Sequence, residues 1–105
     1  MTAAARRDYE MSCNYMGNIC AGLGEEALAE QYCIEGIQVG IALVNETNDP
    51  DHWDDLAVLY FNCFRMTYSQ DALIQAHVIW SKLSSEHPEN ETYRQRFEIT
   101  QQIIT

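Results

Sequence analysis

The chain repeats itself at an offset. Met16-Gly17-x-x-Cys20, followed by Ala29, returns as Leu56-Ala57-x-x-Tyr60, followed by Ala76. Each copy runs from a large or medium apolar residue to a small one, then to a sulfur-bearing or aromatic residue, then to an alanine. Self-similarity of this kind restricts the fold to stacked units, because a single helix pair cannot bury its apolar face without its neighbour. The expectation is an array of helical hairpins with no sheet, and such arrays present extended binding surfaces.

Periodicity supports helices along the whole chain. Trp53, Leu56, Ala57, Tyr60, Phe61 and Phe64 fall at i, i+3, i+4, i+7, i+8 and i+11, which predicts a helix over about 53–66. Asp49 is placed to cap it, with Pro50 in its first turn. Ala72, Leu73, Ala76, Ile79, Trp80 and Leu83 form a second stripe, opened by Ser69-Gln70-Asp71 and closed by His87-Pro88. A last helix is expected over 91–104, capped by Asn90, with Tyr93, Phe97, Ile99, Ile103 and Ile104 as its apolar members.

The first half carries weaker signals. A helix over about 4–21 would present Tyr9, Cys13, Met16, Gly17 and Cys20, and Gly22-Leu23-Gly24 breaks it. The next segment, to about Asn45, holds β-leaning residues together with Gly36 and Gly40, each costing roughly 1 kcal/mol in a helix relative to Ala. Ile34, Ile37, Ile41 and Val44 nevertheless sit at helical spacing, so a helix is expected here too. Small residues at Gly17, Ala29, Gly36, Ala57 and Ala76 would let backbones approach closely, while Trp53, Tyr60 and Trp80 fill the wedges between layers.

These residues resemble the tetratricopeptide repeat, with its W-x₂-L-G-x₂-Y helix, its A-x₃-F helix and its terminal proline. Trp53, Leu56, Ala57 and Tyr60 match the first helix, Ala76 and Trp80 the second, and Pro88 the proline. Met16-Gly17-x-x-Cys20 and Ala29-x-x-x-Cys33-x-x-Gly36 keep the spacing with cysteines in place of aromatics, and Tyr93 leads a third unit or a cap. The resemblance covers residues 9–104 and implies an all-α domain. Its architecture would be a short right-handed α-α superhelix of two antiparallel helical hairpins (about 4–47 and 49–87) plus a C-terminal capping helix (91–104). The units are longer than the family's 34 residues, with 40 from Gly17 to Ala57 and 47 from Ala29 to Ala76. That stretched form resembles bacterial repeat proteins with a linker like Glu46-Thr47-Asn48-Asp49-Pro50.

The resemblance also implies a concave groove lined by the first helix of each pair. Its positions here would be Met11, Asn14 and Asn18, then Asp51, Asp54, Val58 and Phe61, with Arg94 and Glu98 continuing it. Asn18 follows Gly17 as in members that clamp a peptide carboxylate, but Asp51 and Asp54 appear instead of the clamp's basic residues. A neutral or basic peptide or helix fits such a groove better than a carboxylate terminus does.

Charge narrows the partners further. Sixteen acidic residues against six basic ones give a formal charge of −10, which opposes phosphate backbones and anionic membrane surfaces. Cys13, Cys20, Cys33 and Cys63 form no CxxC pair and occupy core positions of the repeat, so they are expected to pack as buried, free thiols in a cytoplasmic protein. The N-terminal residues have no apolar core of a secretory signal. His52, His77 and His87 share no H-E-x-x-H spacing, and no glycine-rich loop follows a strand. Asp49, Asp51, Asp54 and Asp55 lack the spacing and glycine of a calcium loop and read as a capped, solvated helix start, with contact to a basic partner as the other reading.

The expectation is therefore a non-catalytic protein-interaction module with no cofactor and no metal. The alternatives are a self-assembling segment of a longer repeat array, able to homodimerise through terminal helices, and a small cytoplasmic chaperone for a secreted client.

Overall fold

A computed structural model describes residues 2–105. Five helices account for the described chain: α1 (Ala3–Gly22), α2 (Glu26–Thr47), α3 (Pro50–Thr67), α4 (Gln70–Glu86) and α5 (Glu91–Ile104). Among the described residues there is no strand, so the domain is all-α.

Local chemistry sets the boundaries. Thr2, Asp49, Ser69 and Asn90 cap the starts of α1, α3, α4 and α5, each accepting a backbone N–H of the first turn, with Asp49 Oδ1 2.8 Å from the Asp51 nitrogen. These caps supply acceptors for amides that otherwise have no partner inside the helix. Pro50 occupies the first turn of α3, where its missing N–H costs nothing. Asn48 and Tyr68 end α2 and α3 in the left-handed conformation, at φ 50° and 60°, and Gly24 turns α1 into α2 at φ 79°.

The helices follow one another in a zigzag. Each packs against the next in sequence, and α1 also touches α3. The molecule measures 38 × 37 × 19 Å. The short dimension equals about two helix diameters of 10 Å, so the helices lie in two layers. One layer holds α1 and α3 with α5 beside them, and the other holds α2 and α4.

Two kinds of interior hold these layers. Around α3, α4 and α5 the core is bulky: Leu56, Ile79, Trp80, Leu83 and Tyr93 are buried against Ala57 and Ala76, with Trp53, Tyr60, Phe61 and Phe97 packed on the cluster. Along α1 and α2 the buried residues are mostly small, Cys13, Gly17, Cys20, Ala29, Cys33, Gly36 and Gly40, with Glu10, Leu43 and Val44 the larger ones. There the backbones are in near contact. A Cβ at Gly36 would lie 3.1 Å from the Cys13 Cβ and 3.2 Å from the Leu59 Cδ2.

The glycine-bearing face thus turns inward and reverses the expectation drawn from the isoleucines of α2. Ile34 and Ile41 are exposed, Ile37 is half-buried, and only Val44 of that stripe is buried. Close approach at Gly36 and Gly40 fixes the rotation of α2, and the larger residues at Ile34 and Ile41 are left outside. Along α5, Ile99, Ile103 and Ile104 are exposed as well, while Tyr93 and Thr100 face the core.

Candidate functional site

The six groove residues divide between two places. Asn14 on α1 accepts a hydrogen bond from the Asn62 amide on α3 at 2.9 Å, and Asn18, one turn further along α1, is exposed. Along α3, Asp51, Asp54, Val58 and Phe61 lie on the side met by α4 and α5. Asp54 accepts from the Trp80 indole N–H at 2.8 Å and from the Arg96 guanidinium at 2.6 and 2.7 Å. Asp51 accepts from the Tyr93 hydroxyl at 3.2 Å, and burial together with the Asp51 charge pushes Tyr93 up to about 12. Arg96 also lies over the Trp80 ring, 5.9 Å from its centroid. Phe61 is half-buried, with its ring centroid 5.8 Å from that of Trp80. Two of the acidic groove residues therefore tie α5 to α3, and charge-assisted hydrogen bonds of this kind are the strong ones.

A concavity lies on the other layer. It runs between α2 and α4, with α3 as its floor, and encloses about 390 Å³. Trp53, Leu56 and Tyr60 form the floor, and Ile41 and Val78 are the apolar members of its walls that remain exposed. The α2 wall presents Ile41, Val44, Asn45 and Asn48, and the α4 wall presents Gln75, Val78, Ile79, Lys82, Leu83 and Glu86. Both sets follow helical spacing, so the walls are ridges along two helices. The eleven rises from Gln75 to Glu86 correspond to roughly 16 Å, or three turns. Lys82 and Glu86 sit on the lip 3.9 Å apart, and the Trp53 indole donates to Asn48 at 3.0 Å at one end.

Sequence reasoning missed this groove because its floor was assigned to the core. The signal was present in Ile41 and Val78, which lie on the outward face once Gly40 and Ala76 are turned inward.

A second feature lay outside the sequence reading. Glu10 of α1 is wholly buried, and neither carboxyl oxygen has a hydrogen-bond donor. Its Oε2 stands 2.6 Å from where a Cβ on Gly40 would lie, so only glycine at that position of α2 leaves room for it. Desolvation first, and then the neighbouring Asp55 charge, raise Glu10 from 4.5 to about 7, with Arg7 opposing the shift. Asp55 is raised by burial as well, and Arg7 Nε approaches its Oδ2 to 2.9 Å without the alignment of a hydrogen bond.

The histidines serve the packing. His77 stacks on Phe97 with centroids 5.0 Å apart and shares a hydrogen bond with Thr100 at 2.9 Å, and His52 shares one with Thr47 at 2.7 Å. Among the described residues no group of three or more His, Cys, Asp or Glu side chains is arranged to hold a metal ion. No helix of the described residues is long and apolar enough to cross a membrane.

Compared with known proteins, the chain matches no family model, no curated protein and no solved structure.

Proposed function

We propose that this chain is a non-catalytic protein-interaction module that takes a short amphipathic helix of a neutral or basic partner. The observation that carries this reading is the groove between α2 and α4. Two helical ridges border a floor of Trp53, Leu56 and Tyr60, their length matches two to three turns of a partner helix lying along them, and the volume between them takes that helix's apolar side chains. Aromatic floors in partly enclosed grooves supply the few anchors that dominate such affinities. The partner's character follows from charge: at −10 the chain repels acidic segments, and Lys82 on the lip is already paired with Glu86.

A second reading places the partner on the opposite layer, along Asn14, Asn18, Asp51, Asp54, Val58 and Phe61. Exposed Asn18 and half-buried Val58 and Phe61 favour it. The engagement of Asp54 by Arg96 and of Asp51 by Tyr93 counts against an acidic rim free to attract a basic peptide.

Selection from a random peptide library separates these readings. Peptides recovered on the native chain should carry apolar residues at i and i+4 with Lys or Arg on the outer face. Binding should be lost on Ile41→Lys/Val78→Lys and kept on Asn18→Arg/Val58→Arg, with both variants first shown to retain native helical circular dichroism. The reverse pattern moves the site to the α1–α3 layer. Enrichment of nothing, with a mass that grows with concentration, favours the self-assembling reading.

A further inference from the structure

We propose that Cys33 and Cys63 form a reversible, peroxide-sensitive disulfide that clamps α2 to α3. Helix register pairs the two cysteines. Gly40 of α2 faces Leu56 of α3, whose Cδ1 would be 3.0 Å from a Cβ there, and Gly36 faces Leu59 at 3.2 Å. Moving back along α2 and forward along α3 by one further turn brings Cys33 opposite Cys63. The glycines matter because they let the two helices approach more closely than side chains at those positions would allow. A disulfide needs Cα atoms within about 7 Å and Cβ atoms turned toward one another.

Both thiols are free, and each perturbs the other as neighbouring thiols do. Their interaction draws Cys63 down to about 7 and holds Cys33 well above its ordinary value. The Thr67 hydroxyl lies 3.9 Å from the Cys63 sulfur on the other side. Exposure divides the roles: Cys63 is half-buried and reachable, whereas Cys33 is 2% exposed. The reachable thiol is also the one with thiolate character, which is what selective oxidation requires.

The chemistry balances with a hydroperoxide as oxidant. The Cys63 thiolate attacks the distal peroxide oxygen, the O–O bond breaks, and the departing hydroxide leaves as water after taking up a proton. Cys63 becomes a sulfenic acid. The Cys33 sulfur then attacks the Cys63 sulfur, the S–O bond breaks, and hydroxide leaves as water with the Cys33 proton. Two thiols lose two electrons, and one hydrogen peroxide becomes two waters. A dithiol reductant reverses the bridge by thiol–disulfide exchange.

The test is to treat the reduced, folded chain with one equivalent of hydrogen peroxide, block the remaining thiols with iodoacetamide and map the peptides by mass spectrometry. The expected result is the joint loss of the Cys33 and Cys63 thiols as one cross-linked peptide pair, undone by dithiothreitol, with Cys13 and Cys20 alkylated. In Cys33→Ser the same dose should leave Cys63 as a sulfenic acid that a dimedone probe captures. The proposal is overturned if Cys63 proceeds to sulfinic acid while Cys33 stays alkylatable in the native chain. A bridge from Cys13 instead, or unchanged thiols at all four positions, overturns it equally. Mapping of the native chain decides the matter even if the serine variant fails to fold.

Discussion

The two halves of this molecule solve the same packing problem with opposite materials. Around α3, α4 and α5 the helices are held apart by large side chains, and polar contacts such as Trp80–Asp54–Arg96 finish the edges. Between α1 and α2 the helices are drawn together over Gly17, Gly36 and Gly40, and a carboxyl group, Glu10, is enclosed without a donor. The first design stores stability in buried area, and removing a side chain leaves a cavity. The second stores it in backbone proximity, and adding a side chain creates a clash. Substitutions that remove or add a side chain separate the two.

The largest effect is expected in the bulky half. Trp80 is buried, packs at a tilt against the Phe61 ring and donates to Asp54. Trp80→Ala should cost about 3–5 kcal/mol, the range for large-to-small changes in a packed core. Urea denaturation followed by circular dichroism measures it. A loss under about 1 kcal/mol would show that this half is not organised around the indole.

Next comes the pH response of the glycine half. The folded pKa of Glu10, about 7, lies above its ordinary 4.5, so between these values the folded state binds more protons than the unfolded one. Stability is therefore fully present below about 4.5, falls as pH rises toward 7, and levels off above. The shift corresponds to a loss on the order of 3 kcal/mol across that window. Asp55, also raised by burial, contributes with the same sign. Glu10→Gln should flatten the profile measured by denaturation at pH 5 through 8. A wild-type profile that rises across the window would reverse the assignment of Glu10 as a carboxyl held neutral.

Gly40→Ala adds one methyl to the same place. Helix propensity alone favours alanine by about 1 kcal/mol. The new Cβ would stand 2.6 Å from Glu10 Oε2 and 3.0 Å from Leu56 Cδ1, and overpacking of this kind costs about 1–3 kcal/mol. A net destabilisation is expected. Pairing the change with Glu10→Ala, which removes the obstructing carboxyl, should recover part of it, and a double-mutant cycle reads the coupling.

The contrast also explains what could be read from the amino-acid sequence. Where large apolar residues line one face, as at Trp53, Leu56 and Tyr60 or at Ala76, Ile79 and Trp80, hydrophobic periodicity located the helices and their inner face. The capping roles of Asp49 and Asn90 were legible because few residue types suit those positions. Leu59 was not, because α3 is buried on two sides and its α2-facing residues fall off the single stripe. In α2 the contrast inverts, with Cys33, Gly36 and Gly40 inside and Ile34 and Ile41 outside, so a search for the most apolar face selects the wrong one. Glu10 and Thr100 are polar and wholly buried, and nothing in a single sequence separates such residues from solvated ones. Of the candidate sites, the α1 and α3 groove positions were named from the repeat, and the α2–α4 groove emerges only when the rotation of α2 is known.

The smallest effect isolates propensity from proximity. Gly22 ends α1, and a Cβ there meets nothing within 4 Å. Gly22→Ala therefore adds no contact and no clash, and acts by restricting the unfolded chain and favouring the helical backbone. It should stabilise by about 0.5 kcal/mol, the low end of the usual range because Gly22 is the last residue of its helix rather than an interior one. The same substitution then has opposite signs at Gly22 and Gly40, although both glycines lie in helices of the same half. That sign difference is the direct measure of backbone proximity, since helix propensity would move both variants the same way. If Gly40→Ala also stabilised, α1 and α2 would have to be further apart than the Glu10 contact places them, and the buried carboxyl would have room for water.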